Sequence, residues 1–276
     1  MQLGKYFHLA QKLRIWLIFR GISLEIHLSE HCNLNCASCS HYSPLAQPAF
    51  CDLEALKQQL AKLTKVYKSF RTIRLMGGEP LLNPEAPEVC RIVRHYFPDA
   101  TIDLVTNGIL FVDGAKKIPE TFWEVCRSCS IRIAVTLYPL QRVHHAEIEA
   151  LCRQQEVRFW IYGSRCSSNS FQRYQLDPNG KGSRSAYNYC YDAKCWQLVG
   201  NRIYACPQSA YVGYLNRAFG SNFAPRKGDY IETERINRWR LWLFKLRTKP
   251  FCSYCVFPRP QFDWKQSERR ADEWIL

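Results

Sequence analysis

The sequence predicts an α/β fold of parallel β–α–β units, and two observations predict it. Five short runs of strand character begin near residues 23, 72, 101, 131 and 157, each separated from the next by a stretch of helical periodicity. Strands that alternate with helices pair in parallel through right-handed crossovers. Runs of cysteine, glycine and small polar residues then follow the first three strands. That is the end where such sheets and barrels hold ligands. With 276 residues, 47% of them apolar, the chain can bury one large core, or one of about 200 residues with a smaller unit attached.

The elements follow in order. In residues 2–20, Leu3, Tyr6, Phe7, Ala10, Leu13 and Leu17 recur at helical spacing, with Trp16 beside them and Lys5, Lys12, Arg14 and Arg20 around them. This helix either closes the bottom of the sheet or lies on a membrane surface, a peripheral contact. Residues 23–28 alternate and form the first strand, leading into a loop with Cys32, Cys36 and Cys39. Asp52 caps a helix that runs to about residue 70, with Leu53, Leu56, Leu60, Leu63 and Tyr67 inward. The second strand, 72–76, ends in Gly77-Gly78, and paired glycines let a backbone approach a ligand closely. A helix follows Pro84, and the third strand, 101–105, ends in Thr106-Asn107-Gly108. That ending reads either as a tight turn or as polar groups directed at a ligand. A helix near 117–127 leads to the fourth strand, which ends at Thr136-Leu137-Tyr138-Pro139. A helix over 142–155 and a fifth strand over 157–162 follow.

Residues 163–189 read as a long loop or active-site cover, in which Arg165, Arg173, Lys181 and Arg184 are candidates to meet an anionic substrate or are simply solvated. Gly200-Asn201 makes a two-residue hairpin turn that sets Val199 opposite Arg202 and, counting outward, Cys195 opposite Cys206. Residues 230–247 read as a basic amphipathic helix that packs through Ile236, Trp239, Leu243 and Leu246, with Arg235, Arg238, Lys245 and Arg247 supplying charge.

Lysine and arginine (38) exceed aspartate and glutamate (24) by 14, so the chain is strongly basic. This implies a solvated surface or an anionic partner such as acidic lipid or a phosphorylated substrate. No arginine-aromatic signature of RNA binding stands out, and nucleic acid is not expected. No apolar run reaches transmembrane length. Fourteen cysteines without a visible signal peptide point to a reducing cytoplasm and to metal binding rather than disulfides. Cys90, Cys126, Cys129, Cys152 and Cys166 form no convincing ligand set; Cys126 and Cys129 end a predicted helix and read as core.

Cys32, Cys36 and Cys39 stand at C-x3-C-x2-C spacing, and closely packed thiolates suit a soft metal or an iron–sulfur cluster. Structural zinc closes its shell with four ligands, and here the local count is three unless His31 or His41 joins. With this loop and the downstream Gly77-Gly78-Glu79-Pro80, the sequence resembles the radical S-adenosylmethionine (SAM) enzymes. The resemblance implies a partial (βα)6 TIM-like barrel, whose sixth strand is expected near residues 171–176. It implies a [4Fe-4S] cluster held by the three cysteines, with exchangeable SAM on the open iron. Gly77, Gly78, Glu79 and Pro80 are implied to hold the methionine end of SAM, and Thr106, Asn107 and Thr136 to line its site. Ser38 replaces a residue that is often aromatic in the family and stacks on adenine, which leaves that contact to Ser38, His41, Tyr42 or a backbone group. The competing reading of the loop is a zinc knuckle.

The later cysteines resemble the twitch or SPASM-like extension of the same enzymes, which implies a second, auxiliary [4Fe-4S] cluster in a small hairpin-and-helix unit over residues 186–276, after a core over 1–185. Cys206, Cys252 and Cys255 match that pattern; family spacing favours Cys190 as the further ligand and hairpin geometry favours Cys195, and both stay open. The competing reading is structural zinc. The resemblance implies reductive cleavage of SAM to a 5′-deoxyadenosyl radical and hydrogen abstraction from a substrate, with flavodoxin or ferredoxin as electron donor. The expected activity is that of an oxidoreductase acting on a small molecule or carbohydrate. The alternatives are peptide modification and, in another class, a zinc- or cluster-stabilised binding protein without catalysis.

Overall fold

The computed structural model describes residues 22–67, 70–112, 118–139, 145–162 and 170–276. The expected helix over 2–20, Arg165 and Cys166 lie outside the described residues.

The first five strands form where alternation predicts them: β1 (Ser23–Ser29), β2 (Thr72–Gly77), β3 (Thr101–Thr106), β4 (Ile131–Thr136) and β5 (Phe159–Tyr162). Between them run α1 (Leu53–Val66), α2 (Ala86–Tyr96), the single turn α3 (Ile109–Val112), α4 (Glu120–Ser128) and α5 (His145–Gln154). Asp52 caps α1 by accepting the Ala55 N–H at 2.8 Å, and so satisfies one of the free amides of the first turn. The apolar stripe Leu56, Leu60, Leu63 of α1 packs against Leu24, Ile26 and Leu28 of β1 in one continuous core. Every residue of β1 is buried, because helices cover one face of the sheet and the barrel interior lies on the other.

Three later strands extend the same sheet: β7 (Cys195–Val199), β8 (Arg202–Tyr204) and β9 (Tyr230–Glu232), after the short β6 (Ser170–Gln172). The order is β5-β4-β3-β2-β1-β7-β8-β9, and the first six are parallel. The sixth parallel strand is therefore β7, added beside β1, and not residues 171–176. Residues 170–172 pair instead with β10 (Gln261–Asp263) in a separate two-stranded ribbon. β7 buries Trp196 and Leu198 against the main core, whereas Phe171 lines the cavity described below. The hairpin register is as counted, with Val199 opposite Arg202. Chain segments on both sides of residue 185 thus share one sheet.

After the hairpin come α6 (Pro207–Phe219) and α7 (Arg238–Leu246). The helix expected from residue 230 begins only at Arg238, because residues 230–232 pair with β8. Its packing face also differs: Ile236, Leu241 and Phe244 are buried, while Trp239 and Leu246 face solvent. Steps of three and four fit two faces of this helix, and the face nearer Trp196 is the one that docks.

The last residues fold back over the cysteine loop. Lys265 O accepts the Ala37 N–H at 3.0 Å, Asn35 O accepts the Ser267 N–H at 2.7 Å, and Trp274 Nε1 donates to Cys39 O at 3.0 Å. A second core of Tyr42, Leu176, Tyr211, Leu215, Phe251 and Trp274 anchors this strap.

Trp196 is fully buried and meets Phe70 and Phe244 edge-on, so it ties β7 to the sheet. Replacing it by alanine is expected to cost about 3–5 kcal/mol, read as a lowered midpoint in urea unfolding.

Candidate functional site

The carboxyl ends of β1, β2, β3 and β4 open into a cavity of about 260 Å³. Cys32, Cys36, Cys39, Ser38, Gly77, Gly78, Thr106, Asn107 and Thr136 all line it. Glu79 and Pro80 do not; both are buried behind it.

The glycines explain how the loop is held. Gly77 has φ +136°, and a Cβ there would stand 2.1 Å from Ser29 O. A Cβ on Gly78 would stand 2.0 Å from His31 O. Gly78 N donates to Ser29 O at 2.8 Å and Glu79 N to His31 O at 3.0 Å. The close approach expected toward a ligand is therefore made, in this structure, toward the chain's own backbone at the root of the cysteine loop.

Glu79 completes the clamp. Its carboxylate accepts from Thr106 Oγ1 at 2.7 Å, Asn107 N at 2.9 Å and Leu81 N at 3.1 Å, so it joins the end of β2 to the end of β3. Asn107 then reaches the loop, with Nδ2 at 2.7 Å from Asn33 Oδ1 and 3.6 Å from Cys32 Sγ. Thr106-Asn107-Gly108 makes the tight turn, with Thr106 Oγ1 accepting the Gly108 N–H at 3.0 Å, and its first two residues line the cavity.

Ser38 has φ 54°, and its hydroxyl oxygen accepts the Tyr174 N–H at 2.6 Å. His41 lines the cavity, but Tyr42 is buried in the second core. The aromatic wall comes from elsewhere. Tyr138 stacks on Phe171 at 5.6 Å and 7° and lies 5.8 Å from Trp264, and all three line the cavity. Trp264 comes from the strap, which carried no recognisable pattern in the sequence.

The thiols sit in an environment that opposes free ionisation. Burial pushes Cys32 up to about 12 and also raises Cys36, beside Trp264 and Tyr138. Burial acts the same way on Cys39, but the hydrogen bond and charge of His41 outweigh it and bring that thiol below its ordinary range. Three cysteine sulfurs on one cavity match the thiolate donor set of a soft metal cluster. The residues present therefore fit a cluster at this site.

The cavity floor is charged. Glu25 Oε1 accepts from Arg74 at 2.9 Å, Oε2 accepts from Gln197 and lies 3.8 Å from His41 Nε2. Burial opposes this charge, but His41, Arg74 and Gln197 together hold Glu25 at about 2, while Cys39 and Glu25 raise His41 to about 9 despite its burial. Glu25 faces Arg74 across β1–β2, Arg74 faces Asp103 across β2–β3, and Asp103 faces Arg132 across β3–β4. The sequence analysis missed this row; its signal is a single charged residue in the third or second place of each otherwise apolar strand. Arg173, Lys181 and Arg184 do not line the cavity, and the last two are exposed.

The later cysteines separate cleanly. Cys190, Cys206, Cys252 and Cys255 line one smaller pocket with Gln208, Ser209, Lys249 and Arg259. Cys195 lines the first cavity instead, with Arg74 Nη1 at 3.5 Å from its sulfur. Arg259 Nη2 donates to Cys190 Sγ at 3.2 Å, and Arg259 Nη1 pairs with Asp192 at 2.8 Å. Lys249 is buried beside the same sulfurs; burial lowers it to about 7, against the pull of Asp229, Cys252 and Cys206. Lys249 and Arg259 are thus the two basic side chains set beside the four thiols. Among the described residues, no three His, Cys, Asp or Glu side chains gather around one point as a single metal ion needs. Cys90, Cys126 and Cys152 are fully enclosed in the main core, and Cys129 beside them is buried too, as expected.

Burial raises Glu79 to about 7, outweighing its three hydrogen bonds. Its folded-state value lies above its unfolded one, so the folded chain holds the extra proton between about pH 4.5 and 7. Stability is expected to fall across that window as pH rises, by up to about 3 kcal/mol in the metal-free protein. Urea midpoints for the parent and Glu79→Gln should show the difference in slope only there.

Residues 26–129 match the radical SAM superfamily. A GTP 3′,8-cyclase of Microcystis aeruginosa is 34% identical over 100 residues, covering 35% of this chain and 30% of the relative. A GTP 3′,8-cyclase of Chlorobaculum tepidum is 33% identical over 87 residues, covering 32% and 26%. The chain thus spans about 30% of the length of these curated relatives. Among solved structures, BtrN in complex with AdoMet and 2-DOIA is 15% identical, covers 86% of this chain and 93% of its own, and has a TM-score of 0.49. The matched stretch, well under half of the chain, carries the cysteine loop and the paired glycines.

Proposed function

We propose that the protein is a radical SAM enzyme that acts on a small polar molecule for a net oxidation. The observation that carries this reading is the meeting of Cys32, Cys36 and Cys39 in one cavity with Gly77, Gly78 and Asn107. When bound there, a [4Fe-4S] cluster and SAM supply reductive carbon–sulfur cleavage and a hydrogen-abstracting 5′-deoxyadenosyl group. The chain's own residues hold and enclose that chemistry. Cys32, Cys36 and Cys39 are the cluster ligands. Cys195 does not complete the set: it pairs in register with Ser23 at the start of β1, whereas Cys32 follows the end of that seven-residue strand, roughly 20 Å away. Gly77, Gly78, Thr106, Asn107 and Thr136 form the wall available to SAM. Glu79 and Pro80 act from behind it by fixing the strand ends. Tyr138, Phe171 and Trp264 offer apolar faces for adenine, the role that Ser38 leaves open.

The other end of the same cavity presents Glu25, Tyr162, Gln172, Tyr191 and Asp192. Hydroxyl, amide and carboxylate groups of this kind suit a hydroxylated small molecule or carbohydrate. Curated relatives named GTP 3′,8-cyclase also carry small-molecule chemistry in their name, over the 35% of this chain that one of them shares. A second cluster is assigned to Cys190, Cys206, Cys252 and Cys255, with Lys249 and Arg259 as counter-charges. Net oxidation follows from that assignment, since an electron acceptor then stands close to the substrate. A flavodoxin or ferredoxin in the cytoplasm, acidic against this basic chain, is the electron donor in this reading.

Anaerobic reconstitution tests both sites. The parent is expected to bind about eight irons with matching sulfide, and Cys36→Ala and Cys206→Ala about four each. Cys190→Ala should lose the second set, and Cys195→Ala should lose neither. With dithionite and SAM, the parent should form 5′-deoxyadenosine and Cys36→Ala should not. Zinc without sulfide, or loaded protein that forms no 5′-deoxyadenosine, would overturn the enzyme reading.

A further inference from the structure

We propose that α7 and its flanks form a docking surface for a membrane rich in acidic phospholipid. The helix turns Leu241 and Phe244 into the core and leaves Trp239 62% and Leu246 54% exposed. Trp239 stacks on the half-buried Trp242 at 4.6 Å, so two indoles form one surface patch. An exposed tryptophan pair costs free energy in water and is favoured at the boundary between headgroups and acyl chains, where one edge is apolar and the other wet.

Charge selects the occupant. Residues 235–247 carry five basic residues and no acidic one. Arg238, Arg240 and Arg247 are exposed around the indoles. Lys194 is exposed and close enough to depress Lys245, which adds a further positive group at the same edge. Arg235 is neutralised nearby, by Glu232 at 2.9 Å. A second copy of the chain is disfavoured on this surface, because a two-fold contact would set these cations against themselves. A single nine-residue helix flanked by loops is also a ridge and not a groove, which suits a fluid surface better than a shaped partner.

The chain's first residues point the same way. Ser23 Oγ donates to Lys194 O at 3.3 Å, so β1 enters the sheet beside this patch. The sequence ahead of it has Lys5, Lys12, Arg14, Arg20, Trp16 and two phenylalanines, and no acidic residue before Glu25. This inference does not depend on the proposed reaction.

The test is flotation of the full chain with vesicles of phosphatidylcholine alone and of phosphatidylcholine with 30% phosphatidylglycerol. The expected result is binding to the second and not the first, lost in high salt, with a blue shift of tryptophan fluorescence. Trp239→Ala and the double variant Arg238→Glu, Arg240→Glu should each weaken binding about tenfold or more, with urea midpoints equal to the parent. Equal binding to both vesicles, no binding, or binding unchanged in both variants would overturn the proposal. So would a concentration-dependent dimer in light scattering that Trp239→Ala dissolves while vesicles stay unbound.

Discussion

The cysteine loop depends on how closely two strand ends approach. Side-chain-free positions at Gly77 and Gly78 let β2 lie against the carbonyls of Ser29 and His31, with two backbone hydrogen bonds across the junction. A Cβ at either place would sit inside the van der Waals radius of a backbone oxygen, which cannot move away as a side chain can. Glu79, the next residue, then carries the constraint to β3 through Thr106 and Asn107. The loop is thereby fixed at its root by backbone and at Cys32 by the Asn107 amide. Preorganisation of this kind matters because two of the three thiols, Cys32 and Cys36, would otherwise resist the shared ionisation that a cluster requires.

Beneath the loop the sheet carries a row of alternating charge. Arg132, Asp103, Arg74 and Glu25 occupy successive register positions on four neighbouring strands, and Gln197 of β7 ends the row. Such groups are costly to bury singly. In register, each carboxylate has a guanidinium beside it, as the Arg132–Asp103 contact of 2.7 Å and the Arg74–Glu25 contact of 2.9 Å show. Of this row only Glu25 reaches the cavity, and it does so already paired with Arg74.

Much of this was legible in the sequence, for physical reasons. Strand positions were readable because β1 to β5 follow period-two or fully buried patterns, and the hairpin because Gly200-Asn201 admits only a tight turn of that kind. The cysteine loop was readable because metal ligands need fixed spacing. What stayed hidden depends on tertiary contacts. Nothing local distinguishes β7 as the sixth parallel strand, since its partner is β1, some 170 residues earlier in the chain. The α7 face was misjudged because an amphipathic helix with apolar residues on two sides does not say which side docks. Trp264 was invisible because the strap has no periodicity; it is held by backbone bonds to Asn35 and Ala37 that any side chains would allow. Cys190 and Cys195 could not be told apart by spacing, but the register of β7 against β1 turns Cys195 toward Arg74 and away from the other four.

The two sulfur sites are joined by one ion pair. Asp192 lines the first cavity, and Arg259 lines the second pocket and donates to Cys190. They meet at 2.8 Å, each less than a tenth exposed. In so dry a position neither charge tolerates loss of the other, and removing one partner of such a pair typically costs about 3–5 kcal/mol. The pair therefore does more than fasten the two regions together. A group that binds Asp192 in the cavity draws on the same guanidinium that faces the second set of thiols. A more negative second site, in turn, holds Arg259 more firmly and leaves Asp192 freer to accept a hydroxyl from the cavity. One guanidinium thus serves a wall of the first cavity on one side and a thiol of the second pocket on the other, without any need for a moving part.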